Sequence, residues 1–280
     1  MTRYKALAVT TKYWMPSENY TQEIEKNLKG KIADEDFVVI SEKAISTASY
    51  NIVDESRVRP GSVARLIAGC WMRLVWGYFL GFSCHFSKKL LLRLRKYPLE
   101  SGSRHKQVAL QQAGLFQALM FGSEGGIDGS NLAYSYVSLP LKNADKIAEK
   151  VREHLELTLG KRVRVLIVDT DKTYSFMNFH FTPRPKPIKG IHSRGGVVAY
   201  VVGRVLRLRR RATPVAVAGW CAPVEEALEV AELANHVRGF GAGRTVWDMA
   251  DRFHVGLASV SWKMLEAVKH KPVVIVRRKR

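Results

Sequence analysis

The sequence predicts an α+β protein in which mixed β-sheets are flanked by helices. Short apolar runs rich in β-branched residues, at Ala6–Thr11, Phe37–Ile40 and Val163–Val168, are typical of buried strands. Ala144–Leu159 repeats apolar residues at every fourth position and is followed by a glycine, as amphipathic helices often are. Because no clear linker divides the chain, we expect residues 1–280 to form a single unit or two interlocked subdomains.

Other segments predict the remaining elements. Ser17 is expected to cap a helix that runs to about Leu28. Glu225–Arg238 carries small apolar residues along one face and predicts a second helix of this kind. Gln107–Met120 alternates polar and apolar residues and predicts two strands, and Val197–Val202 predicts another strand.

The chain is strongly basic. Its 280 residues include 45 Lys and Arg against 25 Asp and Glu, a net charge of +20, while the 46% hydrophobic content is ordinary for a globular protein. A field of this sign attracts polyanions, whether nucleotide, phosphorylated cofactor, nucleic acid or acidic membrane. Part of the charge lies in two local runs, Arg204–Arg211 and Arg277–Arg280.

The cysteines and the apolar segments indicate the cellular compartment of the protein. Three scattered cysteines in apolar surroundings favour buried thiols in a reducing cytoplasm over disulfides or a zinc site. The most hydrophobic region, Val63–Cys84, contains Arg65 and Arg73 and predicts a buried or amphipathic element rather than a membrane span. We expect a cytoplasmic protein without a membrane partner, and a membrane-surface role through this region is the remaining alternative.

Residues 125–131, GGIDGSN, predict a ligand-binding loop. The glycines allow tight backbone turns and leave room for a ligand. Asp128 offers a hard carboxylate oxygen, and Asn131 offers an amide that both donates and accepts hydrogen bonds. Such a loop suits Mg²⁺ carrying substrate phosphates. An ordinary Gly-Asp turn is the alternative, because turns favour the same residue types.

Two further segments could meet this loop. The predicted strand Val163–Val168 runs directly into Asp169 and Thr170, and ligand sites tend to lie beyond the carboxyl ends of such strands. Asp169 could then share metal ions with Asp128, although a strand followed by an Asx turn is the alternative. The glycine-rich segment 239–245 could cradle a phosphate, but it matches no P-loop.

These motifs resemble those of the coenzyme F420-0:L-glutamate ligases. GIDGSN at residues 126–131 is similar to the family's G-[VI]-D-x-S-N motif, and VDT at residues 168–170 is similar to its strand-terminal Asp-[Ser/Thr]. The C-terminal PVVIVR at residues 272–277 resembles the last strand of the ligases. The resemblance covers most of the chain and implies the mixed-sheet fold of that family.

The resemblance also implies a metal site. Asp128 and Asp169 would hold one divalent ion, Mg²⁺ or Mn²⁺, and Thr170 and Glu266 would hold a second. Asn131 would contact the nucleotide.

Further roles follow from the same resemblance. Ser41, Glu42 and Lys43 would lie beside the nucleotide. His105 would enter the site before the Gly-Asp loop, as a general base or a phosphate contact.

The implied reaction is a nucleotide- and metal-dependent ligation. GTP would activate a carboxylate of F420-0, or of a related acidic cofactor, as an acyl phosphate, and L-glutamate would then form the amide, in a homodimer. Thr47, Lys172 and Leu265 depart from the family pattern, and the expected Arg-Pro appears only at Arg184, so the chain would be a divergent member. The alternative is a basic nucleotide- or RNA-binding protein with a degenerate ligase site, although no RNA-binding motif is evident.

Overall fold

A mixed six-stranded sheet forms the centre of the fold, in a computed structural model that describes residues 3–122, 124–193 and 195–279. The strands of the described chain are, in order, β1 (Tyr4–Thr11), β2 (Phe37–Ser41), β3 (Ile52–Asp54), β4 (Tyr136–Ser138), β5 (Arg164–Phe176), β6 (Phe179–Phe181), β7 (Arg209–Ala218) and β8 (His270–Arg278). The sheet runs β1-β8-β2-β5-β6, and β7 also pairs with β5. Only β2 and β5 pair in parallel, and β3 and β4 form a separate two-stranded sheet.

Helices cover both faces of the sheet. On one face, Val38 and Ile40 pack into a core with the helices Tyr20–Leu28, Glu42–Ala48 and Ala144–Leu159. On the other face, the alternate side chains of β2 pack against the helix Val224–Arg238. Because both faces are buried, the central strands read as continuous apolar runs. The predicted α+β class with helices flanking a mixed sheet is confirmed.

A separate helical layer builds on the helix Ser62–Ser83, which is wound as a π-helix over Ile67–Leu80. Its buried Met72 and Trp76 share a core with residues from the helices that follow. By length and composition, this is the one helix in the described ranges that could cross a membrane. The helices not yet placed are Lys88–Arg95, Leu99–Gln112, Leu115–Ala118, Val197–Val205, Val246–Phe253 and Trp262–Glu266.

Several predicted elements differ from the structure. Gln107–Met120 forms no strands: most of it belongs to the helices Leu99–Gln112 and Leu115–Ala118. Val197–Val205 is also a helix, whose valines divide between a buried and an exposed face. In both segments, packing of one apolar face decided between helix and strand, because short apolar patterns fit either.

The N-terminal helix begins later than predicted. Asn19, not Ser17, is its cap, since the Asn19 side chain accepts a hydrogen bond from the Gln22 amide at 3.3 Å. Ser17 instead adopts a left-handed backbone with φ of 67°. The C-terminal ends of the long helices were predicted correctly, including Gly160, which ends its helix in the left-handed conformation.

The strand predicted to end before Asp169 continues to Phe176. Its pairing with β7 is irregular, because Asp169 faces Thr213 while Lys172 faces the adjacent Ala212. Two residues of β5 are therefore inserted as a bulge, and bulges commonly redirect side chains near ligand sites. The expectation of a strand end is wrong, but the bulge turns the same short segment toward a cavity.

Shortening a buried side chain of the central strand β2 should destabilise the fold. Ile40 is fully buried, so Ile40→Ala is expected to lower the free energy of unfolding by about 2–5 kcal/mol, measured by urea denaturation. Leu157, which is 85% exposed, gives a control, and Leu157→Ala should change this free energy by less than about 0.5 kcal/mol. Equal effects of the two substitutions would contradict the assigned core.

Candidate functional site

A cavity of about 480 Å³ opens where four segments meet: the Gly-Asp loop 125–131, the β5 bulge, the glycine-rich loop 239–245 and the start of β8. Six of the nine residues that the sequence singled out line it: Ser41, Lys43, His105, Asp128, Asn131 and Thr170. Glu42, Asp169 and Glu266 are not part of its wall. Glu266 is exposed on a short helix.

Lys43 and Asp128 form the polar floor of the cavity. Lys43 lies in the first turn of the helix Glu42–Ala48, which follows β2, and its Nζ contacts the Asp128 carboxylate. The same Nζ donates hydrogen bonds to the Ser130 carbonyl at 2.9 Å and to the Ser130 Oγ at 2.7 Å. The Ser130 amide in turn donates to Asp128 Oδ1 at 2.7 Å, which closes the loop as an Asx turn. The oxygen atoms of Asp128 and Ser130 therefore surround the Lys43 ammonium group.

Glu42 and Asp169 lie behind the wall, bound to Arg184. Arg184 Nη2 donates to both carboxylate oxygens of Glu42, at 2.5 and 2.6 Å, and Arg184 Nε lies 3.1 Å from Asp169 Oδ2. Burial raises the pKa of Glu42 and outweighs the opposing effect of Arg184. In the sequence, the expected Arg-Pro appears only at position 184, beyond β6. In the folded chain, the Arg184 side chain nevertheless lies beside Asp169.

Asn131 ties the Gly-Asp loop to the glycine-rich loop. Its Nδ2 donates to the carbonyls of Phe240 and Gly243, at 3.2 and 3.1 Å, and its Oδ1 accepts from the Ala242 amide at 2.5 Å. A Cβ on Gly241 would lie 2.4 Å from Asn131 Oδ1, and Gly241 has a φ of 60°, so glycine is required there. The Asn131 amide therefore holds the glycine-rich loop in place, and its contact with a nucleotide stays a prediction.

His105 is held between two carboxylates on the helix Leu99–Gln112. Its Nδ1 lies 2.6 Å from Glu55 Oε1 and its Nε2 lies 2.8 Å from Glu124 Oε2. The buried Lys106 also donates to Glu124 Oε1, at 2.5 Å. Burial lowers the pKa of His105, but the two carboxylates outweigh it and raise this pKa to about 10. The ring is therefore an imidazolium at neutral pH, which suits a structural cation better than a general base.

Additional cations line the cavity without a carboxylate. Within the described residues, none of four basic side chains on the wall forms an ion pair: Arg238, Arg244, Lys269 and Lys271. Arg244 stacks on Phe240, with its guanidinium 4.0 Å from the ring centroid. Burial lowers the pKa of Arg238 to about 10, although Asp169 opposes the shift. These groups make the cavity a site for a polyanion.

Sequence reasoning missed most of this cationic wall. Arg238 ends one helix, while Lys269 and Lys271 flank the start of β8, and no local motif marks them. The glycine-rich segment with Arg244 was the one signal available. Glu55 and Glu124, which hold His105, were also missed because their pairing depends on distant parts of the chain.

The donor set fits a metal ion that is shared with a ligand. In the ranges that the structure describes, no three His, Cys, Asp or Glu side chains gather into a metal cage. Asp128 and Thr170 do face one cavity, and Mg²⁺ commonly combines one or two carboxylates with substrate phosphate oxygens. Asp169 is paired with Arg184, and Glu266 is exposed outside the cavity wall.

Loss of the buried arginine should be costly. Arg184→Met leaves the buried carboxylates of Glu42 and Asp169 without their counter-ion, so the free energy of unfolding should fall by about 3–5 kcal/mol. Urea denaturation measures the change. Arg59→Met, at an exposed arginine, is the control, and a loss no larger than that of the control would refute this role.

Histidine 105 should make stability sensitive to alkaline pH. A histidine whose pKa is raised by folding stabilises the fold fully below its unfolded value of 6.5, and this contribution is lost as pH rises through about 10. The stability difference between wild type and His105→Gln should therefore shrink across this range, as measured by urea denaturation at a series of pH values. A difference that is independent of pH would contradict the imidazolium assignment.

Comparisons with known proteins identify a family and two relatives of this chain. A family model described as F420-0:Gamma-glutamyl ligase matches residues 9–278. An uncharacterized protein of Methanocaldococcus jannaschii is 33% identical over 285 residues, which cover 98% of this chain and 96% of that protein. A coenzyme F420:L-glutamate ligase of Methanosarcina acetivorans is 25% identical over 144 residues, 50% of this chain and 49% of that protein.

Proposed function

The chain belongs to the F420-0:gamma-glutamyl ligase family, and on that premise we propose that it joins L-glutamate to a carboxylate of F420-0, or of a related acidic cofactor, at the expense of GTP. The observation that carries the proposal is the cavity itself. It combines the Asp128 loop with a wall of cations that lack carboxylate partners. Both halves are needed to bind and activate phosphorylated ligands.

The reaction would proceed in two steps. The acceptor carboxylate attacks the γ-phosphorus of GTP, the bond to the β-phosphate oxygen breaks, and GDP leaves. The amine of L-glutamate then attacks the acyl carbon, inorganic phosphate departs, and the amine loses a proton to give the amide. Each step moves negative charge between oxygens, so positioning and charge neutralisation are the main tasks of the protein.

The chain's own residues divide these tasks. Arg238, Lys269 and Lys271 would bind the phosphates, because they face the cavity without carboxylate partners. The backbone of the glycine-rich loop 239–245 would approach the ligand closely. Lys43 would hold the acceptor or a phosphate oxygen once its contact with Asp128 is exchanged.

A divalent ion fits the same arrangement. Asp128 and Thr170 would hold Mg²⁺ or Mn²⁺ together with phosphate oxygens, and such an ion supplies charge neutralisation to phosphoryl transfer. Asp169 and Arg184 would keep the β5 bulge in position. We further propose that the protein is a cytoplasmic homodimer, and light scattering of the purified protein would test the dimer.

The central test is a product assay. Purified protein is incubated with GTP, Mg²⁺ or Mn²⁺, L-glutamate and F420-0, and GDP and the glutamylated product are followed by mass spectrometry. Product formation that stops on chelation of the metal supports the ligase. GDP without product would point to another acidic acceptor. Binding of GTP or RNA without any turnover would favour the alternative, a basic binding protein.

Two variants sharpen the test. Asp128→Asn should lower kcat/KM by on the order of 100-fold, because it removes a charge that acts on the reacting phosphate. Arg238→Gln should raise the KM for GTP by about tenfold with a smaller change in kcat, because it removes a phosphate contact.

Matched controls are available on the surface. Asp145→Asn and Arg59→Gln make the same chemical changes at exposed positions, and both should leave kinetics unchanged. Thermal unfolding of all four variants separates loss of activity from loss of fold. Wild-type kinetics for Asp128→Asn in a folded protein would overturn the assigned site.

A further inference from the structure

The helical layer carries an unusual distribution of charge. Residues 57–99 contain nine Lys and Arg and no Asp or Glu. Lys89 and Arg93 are paired with carboxylates of the helix Val246–Phe253. Arg65, Arg95 and others on this segment have no ion pair within the described residues. Within the described residues, this segment therefore carries cations that no carboxylate neutralises.

The same segment exposes large apolar side chains. On the helix Ser62–Ser83, Leu66, Phe79 and Phe82 are 62%, 69% and 74% exposed, and Leu74 and Tyr78 are about half exposed. The opposite side of this helix is buried in its own core, so the helix has one face in the protein and one in solvent. Contiguous exposed apolar surface of this kind marks an interaction site.

Arginines border the apolar face. The Arg95 guanidinium lies 4.2 Å from the centroid of the Tyr78 ring. Just beyond the C-terminal end of the helix, a second cavity of about 330 Å³ is lined by Arg204, Arg207 and Arg210. Arg204 is held there by the Cys84 carbonyl, to which it donates at 2.9 Å. A concave site with three guanidinium groups suits a phosphate.

We propose that this face, the exposed side of the helix Ser62–Ser83 together with the arginine cavity at its end, binds the surface of an anionic lipid bilayer. Phe79 and Phe82 would enter the acyl boundary, the flanking cations would face the headgroups, and the arginine cavity would accept a lipid phosphate. Apolar side chains combined with a cationic border are the features of helices that lie in the membrane interface.

Two observations indicate that the helix Ser62–Ser83 lies on the bilayer and does not cross it. The helix buries Met72 and Trp76 in the protein core, and those contacts would be lost in a span. Arg73 donates two hydrogen bonds to the Tyr97 carbonyl, at 2.8 and 2.6 Å, which fixes the helix to the loop before the helix Leu99–Gln112. The buried half of the helix is therefore already occupied by protein.

Charge also argues against a second copy of the chain as the occupant. A symmetric contact through this face would place the cationic segment 57–99 against itself, and like charges brought together in an interface are unfavourable. An anionic bilayer is complementary to the same surface.

The test is co-flotation of the full chain with vesicles. We expect recovery with vesicles of phosphatidylcholine containing phosphatidylglycerol, little recovery with phosphatidylcholine alone, and loss of binding in high salt. The double variant Phe79→Glu, Phe82→Glu should reduce binding to the anionic vesicles by at least about tenfold. Arg207→Gln should weaken it less, since it removes one cation of three.

A control variant introduces glutamate at an exposed apolar position outside this face. Leu157→Glu replaces an 85% exposed leucine on another helix and should bind vesicles as wild type does. Light scattering gives the oligomeric state of every protein, and thermal unfolding shows that each variant folds.

Three outcomes would overturn the proposal: no recovery with anionic vesicles, unchanged recovery of the double variant, or a dimer that the double variant converts to a monomer. Undiminished binding by the variant would mean adsorption by charge alone, and the dimer result would identify a second copy as the partner.

Discussion

One buried guanidinium joins the segments that form the cavity wall. Arg184 binds Glu42 after β2 and Asp169 at the β5 bulge, and a Cβ at Gly126 would lie 2.9 Å from its Nη1. Each of these positions is one or two residues from a side chain that faces the cavity. The charges are nearly excluded from solvent, so the triad is stable only when all its members are in place. The site is therefore built around a structural ion cluster, not around its ligand.

The sequence predicted the central strands and the two longest sheet-packing helices because their patterns were long and unambiguous. It failed at Gln107–Met120 and Val197–Val202, where short apolar patterns fit helix and strand equally and tertiary packing made the choice. Lys43, Asp128 and Thr170 were found because motifs mark them. Arg238 and Lys271 were not found, because no local motif marks them. Only the folded chain places them on the cavity wall.

Among the described residues, two groups of cations differ in their surroundings. In the main cavity the cations combine with carboxylates and glycine-rich backbone, an arrangement suited to small phosphorylated ligands. On the helix Ser62–Ser83 they border apolar side chains, an arrangement suited to an extended surface. A net charge of +20 alone does not distinguish these two roles. The neighbours of each cation do, since they determine the shape and the polarity that a partner must match.

The three hydrogen bonds of Asn131 connect the Gly-Asp loop to the glycine-rich loop across the cavity. A ligand that shifts the Gly-Asp loop must also shift the glycine-rich loop, or break those bonds. Substrates bound at the two loops would then not associate independently. The physical expectation is coupled binding: a ligand at one loop changes the affinity at the other loop, and linkage makes this effect equal in both directions.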